Sequence, residues 1–484
     1  MTGRVAHPWL VLVLVCLAQF MVVLDATVVN VALPSIQTDL KMSETDLQWV
    51  VNSYTLIFGG FLLLGGRAGD LLGRKRLFLA GVVVFTAASL LNGLAQSSQM
   101  LILTRGLQGL GAAFVSPAAL SIVTTTFAEG ADRAKALGVW SAIAAGGGGV
   151  GLLLGGVLTD TLSWPWIFFV NIPIGIATFV LSARFVPEST AEMKHRRFDV
   201  TGAITVTAGL IALVYAIVRA ESAGWTSAST LTIAAVAVAL LAAFVVVEGR
   251  SRAPLVRLDI FSVPSLRAAN IVLLFVAAGL YAMFFFNSLF VQRVLGYSPL
   301  EAGLAFMPFT AGIVLGAGIA QQLVARVGLR GPAVVGMLIS SGGMALLIML
   351  SSDSTYVSLI LPSVIVTSLA MGTAFVPLIL IATAGVPPRD AGLASGLFNT
   401  SQQIGGALGI AILSTIAAAA TRDSLGGIAH PTKAQESSAL VDGFQLAFLG
   451  GAIIVAAASL LLLALLRRRD VEAIPTGKPA TVAA

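Results

Sequence analysis

Residues 9–33 read WLVLVLVCLAQFMVVLDATVVNVAL, an apolar run whose single charged side chain is Asp25. An α-helix rises about 1.5 Å per residue, so roughly 20 such residues cross about 30 Å of hydrocarbon. The run is too long for the apolar core of a secretory leader and lacks a clear small-residue cleavage site, so it reads as an uncleaved first membrane helix. Working outward, comparable runs lie near 49–66, 77–94, 100–127, 136–158, 166–185, 200–218, 231–247, 268–290, 302–324, 332–350, 357–384, 392–420 and 444–466. Backbone exposed to lipid must satisfy its own hydrogen bonds, and the alternation of strands is absent, so each run is expected to be a helix. The expected fold class is an all-α membrane protein with about fourteen spanning helices.

Composition agrees. Hydrophobic residues make up 57% of the 484 positions and charged residues only 10%, with a mean hydropathy of +0.96. Average soluble chains are roughly 25% charged, so a water-facing surface cannot be built from this sequence, and no soluble domain remains between the runs. With an even number of spans and an internal amino terminus, both ends are cytoplasmic. The 28 Lys and Arg residues then divide as 22 inside, five outside (Lys41, Arg219, Arg293, Arg422, Lys433) and Arg105 within a span. That asymmetry is the positive-inside bias of an inner (cell) membrane protein, and it removes nucleic-acid binding as the account of a pI near 9.8. Cys16 is the single cysteine, and His7, His195 and His430 lie outside the spans. No metal site, no cofactor and no enzymatic constellation of paired carboxylates or clustered histidines is therefore expected.

The chain repeats itself. Gly138, Gly148 and Gly151 recur as Gly396, Gly406 and Gly409, a constant offset of 258, and Gly111-Ala-Ala-Phe-Val recurs as Gly372-Thr-Ala-Phe-Val. Arg133 and Arg389 fall in equivalent loops. This predicts two six-helix halves, 1–187 and 268–470. Two inserted helices and a charged, proline-bearing cytoplasmic linker lie between them (188–267), and a cytoplasmic tail follows (471–484). Duplicated halves with a binding site between them are a recurrent transporter design.

Charges within spans are costly and usually functional. Asp25 is the only acid deep in a predicted helix, roughly 24 Å along it from Trp9, and Arg105 lies about 8 Å below the outer surface in the oppositely directed fourth helix. The two sit at similar depth. Either they form a carboxyl that loads and releases a proton under the opposing influences of a cation and desolvation, or they are a permanent structural ion pair. The stretch 66–76, holding Gly66, Asp70, Gly73, Arg74, Lys75 and Arg76, is a glycine-rich cytoplasmic loop. In it Asp70 could pair with arginine or cap the third helix, so the loop is either a conformational latch or a basic turn. Gly147, Gly151 and Gly155 form a small-residue stripe on the fifth helix, fit for close packing or for bending. Candidate substrate contacts are the polar groups at membrane depth: Asn30, Gln108, Asn287, Asn399 and Gln403, with Asn52 and Gln402. Aromatics such as Phe284, Phe285, Phe286, Phe290, Phe306 and Phe309 would supply an apolar wall.

Four segments together carry a resemblance. They are Leu24-Asp25-Ala-Thr-Val-Val-Asn30-Val-Ala-Leu-Pro34, the 66–76 loop, Leu103-Thr-Arg105-Gly-Leu-Gln108-Gly109, and Trp164-Pro-Trp166-Ile-Phe-Phe-Val-Asn171-Ile-Pro173-Ile-Gly175. Over almost its whole length the chain resembles the fourteen-helix drug–proton antiporters of the major facilitator superfamily. The resemblance implies the major facilitator fold, proton coupling through Asp25 and Arg105, and a latch at Gly66, Asp70, Gly73 and Arg74. It also implies an antiporter motif at Gly151, Gly155 and Gly156. Leu152 stands where that motif usually has proline, which weakens the inference of export direction, and Pro165 stands where the sixth-helix segment usually has arginine. The implied activity is proton-coupled multidrug or antibiotic efflux of hydrophobic or amphipathic compounds. The alternative is a proton-coupled metabolite or lipid transporter on the same fold, possible as importer or exporter; a membrane enzyme and a non-transporting receptor are the competitors from other classes. Expected partners are a small-molecule substrate, protons and membrane lipids. The sequence leaves oligomeric state open and is compatible with a monomer.

Overall fold

The computed structural model describes residues 7–127, 131–188, 199–251, 254–256, 258–384, 386, 391–426, 428 and 432–467. Lys194, His195, Arg196, Arg197, Arg252, Arg257, Arg389, His430 and the tail 471–484 lie outside them, as do the side chains of Asp70 and Arg133. Among the described residues the regular structure is helical throughout. The long helices are α1 (Pro8–Leu40), α2 (Glu44–Leu72), α3 (Arg74–Gly93), α4 (Ser98–Thr126) and α5 (Ala131–Thr161). They continue as α6 (Trp166–Phe185), α7 (Val200–Ala223), α8 (Ala228–Arg250), α9 (Pro264–Arg293) and α10 (Pro299–Val327). The last four are α11 (Arg330–Met349), α12 (Tyr356–Thr383), α13 (Ala391–Leu425) and α14 (Lys433–Leu465). Thirteen of these helices are long and apolar enough to cross a membrane, and α5, at 31 residues, is the fourteenth long helix.

Most helices run past their apolar cores, because a helix entering water still satisfies its own backbone if its ends are capped. α14 starts at Lys433, well before the apolar run near 444, in a capping box: Gln435 N–H donates to Thr432 Oγ1 at 3.3 Å and Thr432 N–H to Gln435 Oε1 at 2.9 Å. α2 starts on Ser43, whose hydroxyl accepts from Asp46 N–H at 3.0 Å. α2 also extends through most of the expected 66–76 loop, so the reversal into α3 narrows to one residue. That residue is Gly73, at φ 106°, a left-handed backbone that favours glycine.

Two compact units emerge. The first holds residues 1–256 and 297–304, with α4 between α2 and α3 at its centre. Val15, Phe78, Val82, Phe85, Val115, Ala119 and Ile122 fill the space between α1, α3 and α4. Small residues let α4 lie flat on its neighbours: a Cβ on Gly109 would stand 2.5 Å from the Tyr54 carbonyl oxygen of α2, and one on Gly111 2.6 Å from the Phe85 nitrogen of α3. α7 packs on α2 through Thr207 over Gly60 and Tyr215 beside Trp49, rings 6.3 Å apart. α8 packs on α7 and turns Val236, Val238, Val245 and Val246 outward. The two helices between the repeated segments thus belong to the first unit.

The second unit holds residues 257–296 and 305–484. One packing device appears in both units. On α5, Gly151 sits against Leu24 and Thr27 of α1, and Gly155 against Val28. On α13, Gly405 sits against Leu274 of α9, and Gly409 against Ala278.

Candidate functional site

Asp25 lies in the middle of α1 with no exposed surface, and Arg105, on α4, is 1% exposed. Arg105 Nη1 donates to Asp25 Oδ2 at 2.5 Å. The close α2–α4 approach lets Arg105 Nε donate to the Val50 carbonyl at 3.1 Å, and the guanidinium carbon stands 4.4 Å from the centre of the Tyr54 ring. Such a cation–π contact contributes on the order of 0.5–2 kcal/mol. The arginine is therefore held from three sides before any substrate is considered.

Gln108, one turn along α4, closes the site. Its Nε2 donates to Asp25 Oδ1 at 2.8 Å and to Ser89 Oγ at 3.1 Å; its Oε1 accepts from Arg105 Nη1 at 2.7 Å and from Asn92 Nδ2 at 2.6 Å. From α6, Asn171 Nδ2 donates to Asp25 Oδ1 at 3.2 Å and to Ser89 Oγ at 3.1 Å. Ser89 donates onward to the Phe168 carbonyl at 3.0 Å, and Thr104 donates to Asn92 Oδ1 at 2.6 Å. Three donors on two carboxylate oxygens suit an ionised, acceptor-only Asp25. One acceptor beside it stays idle: Asn171 Oδ1 is buried without a partner.

The sequence reading named Asp25, Arg105 and Gln108, and the structure brings the three together. It did not single out Asn171, Ser89, Asn92 or Tyr54 as partners. Asn171 stands in the quoted sixth-helix segment, the one signal available; the others are ordinary polar residues until α3, α4 and α6 are packed. Of the remaining cavity candidates, Asn30 turns back onto the Ala26 and Thr27 carbonyls of α1. Three lie in the second unit. Asn287 is fully buried with both amide atoms unpartnered, Gln403 accepts from Tyr281 Oη at 2.8 Å, and exposed Asn399 donates to the Ser395 carbonyl at 2.9 Å. Among the aromatics there, Phe284 stacks edge-on with Phe309, centroids 4.4 Å apart.

At the loop, a Cβ added to Gly66 would stand 3.7 Å from Pro117 of α4, at ordinary van der Waals distance. The start of α3 is capped by Glu188, just past the end of α6, which the sequence reading missed. Its Oε1 accepts from Lys75 N–H at 3.1 Å, its Oε2 lies 3.5 Å from Arg76 Nε, and Lys75 Nζ donates to the Ala183 carbonyl at 2.7 Å. A Cβ on Gly73 would lie 2.6 Å from Glu188 Oε1, a flexible carboxylate that can shift, so glycine is favoured there by its φ of 106°. On α5, Gly156 meets the backbone of Pro299 and Leu300, and Leu152 presents its carbonyl 2.7 Å from where a Cβ on Gly303 would stand. Residues 297–304 are part of the first unit.

Residues 15–410 match the Major Facilitator Superfamily. The chain belongs to this superfamily. It is a multi-pass membrane transporter, and its substrates are small molecules. It is 42% identical to the puromycin resistance protein pur8 of Streptomyces alboniger over 416 residues, covering 85% of this chain and 82% of that one. It is 42% identical to the cephamycin export protein CmcT of Amycolatopsis lactamdurans over 426 residues, covering 87% and 88%. Among solved structures, a bacterial homologue of the human lysosomal transporter Spinster superposes with TM-score 0.69 at 19% identity, covering 97% and 98% of the two chains; at that identity the likeness concerns the fold.

Proposed function

We propose that this transporter exports hydrophobic or amphipathic compounds of antibiotic type from the cell, across the inner membrane, in exchange for protons. Asp25 carries the proton and Arg105 is its exchangeable partner. The observation that carries the reading is the full burial of Asp25 against the Arg105 guanidinium and the Gln108 and Asn171 amides. Protonation from outside would cancel the charge that fixes Arg105 and free the guanidinium to rearrange within α4's surroundings. A substrate arriving from the cytoplasm or inner leaflet would favour the ionised arrangement, so loading substrate releases the proton. The names of the relatives support the efflux direction and the substrate class. Gly66, Asp70, Gly73 and Arg74 act as the latch, joined by Glu188. Gly151, Gly155 and Gly156 form the close-packed seam of α5. Asn30, Asn287, Asn399 and Gln403 remain candidate substrate contacts, whereas Gln108 serves the Asp25 network. Both termini are cytoplasmic on this reading.

One proton crossing 100 mV supplies about 2.3 kcal/mol before any pH gradient is counted, enough for roughly 50-fold accumulation in a one-for-one exchange. The test is a panel of compounds, puromycin and a cephamycin first, applied to acid-loaded inverted vesicles carrying the purified protein. Compound-dependent loss of the proton gradient with compound uptake is expected. Uptake of panel compounds that proceeds unchanged without a gradient would contradict the proposal.

A further inference from the structure

We propose that Asp199 and Glu248 form a second proton-binding site, a buried carboxyl pair that shares one proton where α7 begins and α8 ends. Neither acid belongs to the Asp25 network. Asp199 is the N-cap of α7, its Oδ1 accepting from Gly202 N–H at 2.6 Å. Glu248 lies in the last turn of α8, and its Oε2 accepts from Val256 N–H at 3.2 Å after the chain has left the helix. α7 and α8 pack antiparallel, which brings the start of one to the end of the other. Both carboxylates stand over Gly202: a Cβ there would lie 2.8 Å from Glu248 Oε1 and 3.0 Å from Asp199 Oδ1.

Asp199 is 6% exposed and Glu248 3%. The second oxygen of each, Asp199 Oδ2 and Glu248 Oε1, is buried and makes no hydrogen bond. Among the described residues no lysine, arginine or histidine forms a salt bridge with either. Among the described residues the charged groups on the surrounding elements are Arg250, exposed at the end of α8, Asp259, exposed in the short helical turn after Val256, and Arg67 near the end of α2; Lys194, His195, Arg196, Arg197, Arg252, Arg257 and the Asp70 side chain lie outside the described residues. A single desolvated carboxylate is costly, and a second beside it is more so, since like charges repel with little screening in a buried site. One proton removes one charge and turns an idle oxygen into a donor.

A metal cation fits poorly. Hard cations take about six or more oxygen ligands, whereas this pair has two idle oxygens and backbone N–H groups already directed at the others. The site also occupies a telling place in the chain. Val256, held by Glu248, is the last residue of the first unit before the chain passes to the second.

The test uses the full-length protein in lipid nanodiscs, in an Asp25→Asn background so that the Asp25 carboxyl is silent. At neutral pH, infrared difference spectroscopy on hydrogen–deuterium exchange should show the C=O stretch of a protonated carboxyl. Adding Glu248→Gln, a near-isostere of the protonated form, should remove that band while the protein stays folded. Asp199→Asn, which keeps a good helix cap, should shift or remove it as well. A second readout follows from linkage. A folded state that keeps a proton which the unfolded chain gives up near pH ~4 loses stability as pH rises. Melting temperature should therefore fall as pH rises above ~5, and fall less in Glu248→Gln. A band that survives both substitutions, or a band displaced by sodium, potassium or calcium at constant pH, would overturn the proposal.

Discussion

Asp25 receives hydrogen bonds from Arg105, Gln108 and Asn171, and each of those donors is itself held by another group. Removing the carboxyl's charge therefore disturbs a set of bonds rather than one. In the proposed cycle a proton arriving on Asp25 needs an acceptor, and the Asn171 amide, whose Oδ1 is idle, can serve after it turns over. Asp25→Asn is expected to abolish gradient-driven transport, by at least about tenfold, while compound binding persists; flux in vesicles and equilibrium binding on the same preparation check it. Arg105→Ala leaves a buried carboxylate uncompensated, and breaking such a pair typically costs about 3–5 kcal/mol. Its melting temperature should drop, whereas the double variant Asp25→Asn with Arg105→Gln should recover stability without recovering proton coupling. A purely structural pair would recover both together, and that outcome would remove Asp25 from the mechanism.

At the scale of helices, the reversal between α2 and α3 concentrates several demands on Gly73: a left-handed backbone, a helix start and a carboxylate packed against its Cα. Glu188→Gln keeps the shape and weakens the cap, so a loss of about 0.5–2 kcal/mol is expected, with turnover affected more than compound affinity. A lowered affinity at unchanged turnover would argue against a latch role. Gly155→Leu would force a side chain into the space held by Val28, where its added Cβ alone would lie 2.8 Å from the Val28 carbonyl oxygen. Overpacking of this kind costs roughly 1–3 kcal/mol, and transport should fall with it in thermal-stability and flux assays. These elements were partly legible in the sequence. Each apolar run falls on a long helix, and thirteen of those helices are long and apolar enough to cross a membrane. Helix ends were less legible, because Ser43 or Thr432 terminates a helix through local hydrogen bonds that hydropathy does not register. Glu188 was invisible as a cap, since more than a hundred residues separate it from Lys75 and only the packing of α6 on α3 joins them.

For the whole molecule, the sequence shows glycines at a constant offset, and in the structure Gly151 of α5 packs closely on α1 and Gly409 of α13 on α9. The placement of α7 and α8 with the first unit was not readable, because both of their faces are apolar and hydropathy does not distinguish protein from lipid. The acids at their ends escaped notice for a related reason: Asp199 and Glu248 sit at span termini, where solvation is the ordinary expectation and only tertiary packing reveals burial. The central claim is that one buried carboxyl exchanges its proton for substrate. It is tested most directly by adding a saturating transported compound to purified protein in weakly buffered detergent solution and measuring proton release. The wild-type protein should release close to one proton per compound bound, and Asp25→Asn, binding the same compound, should release essentially none. Equal release from Asp25→Asn would contradict the account.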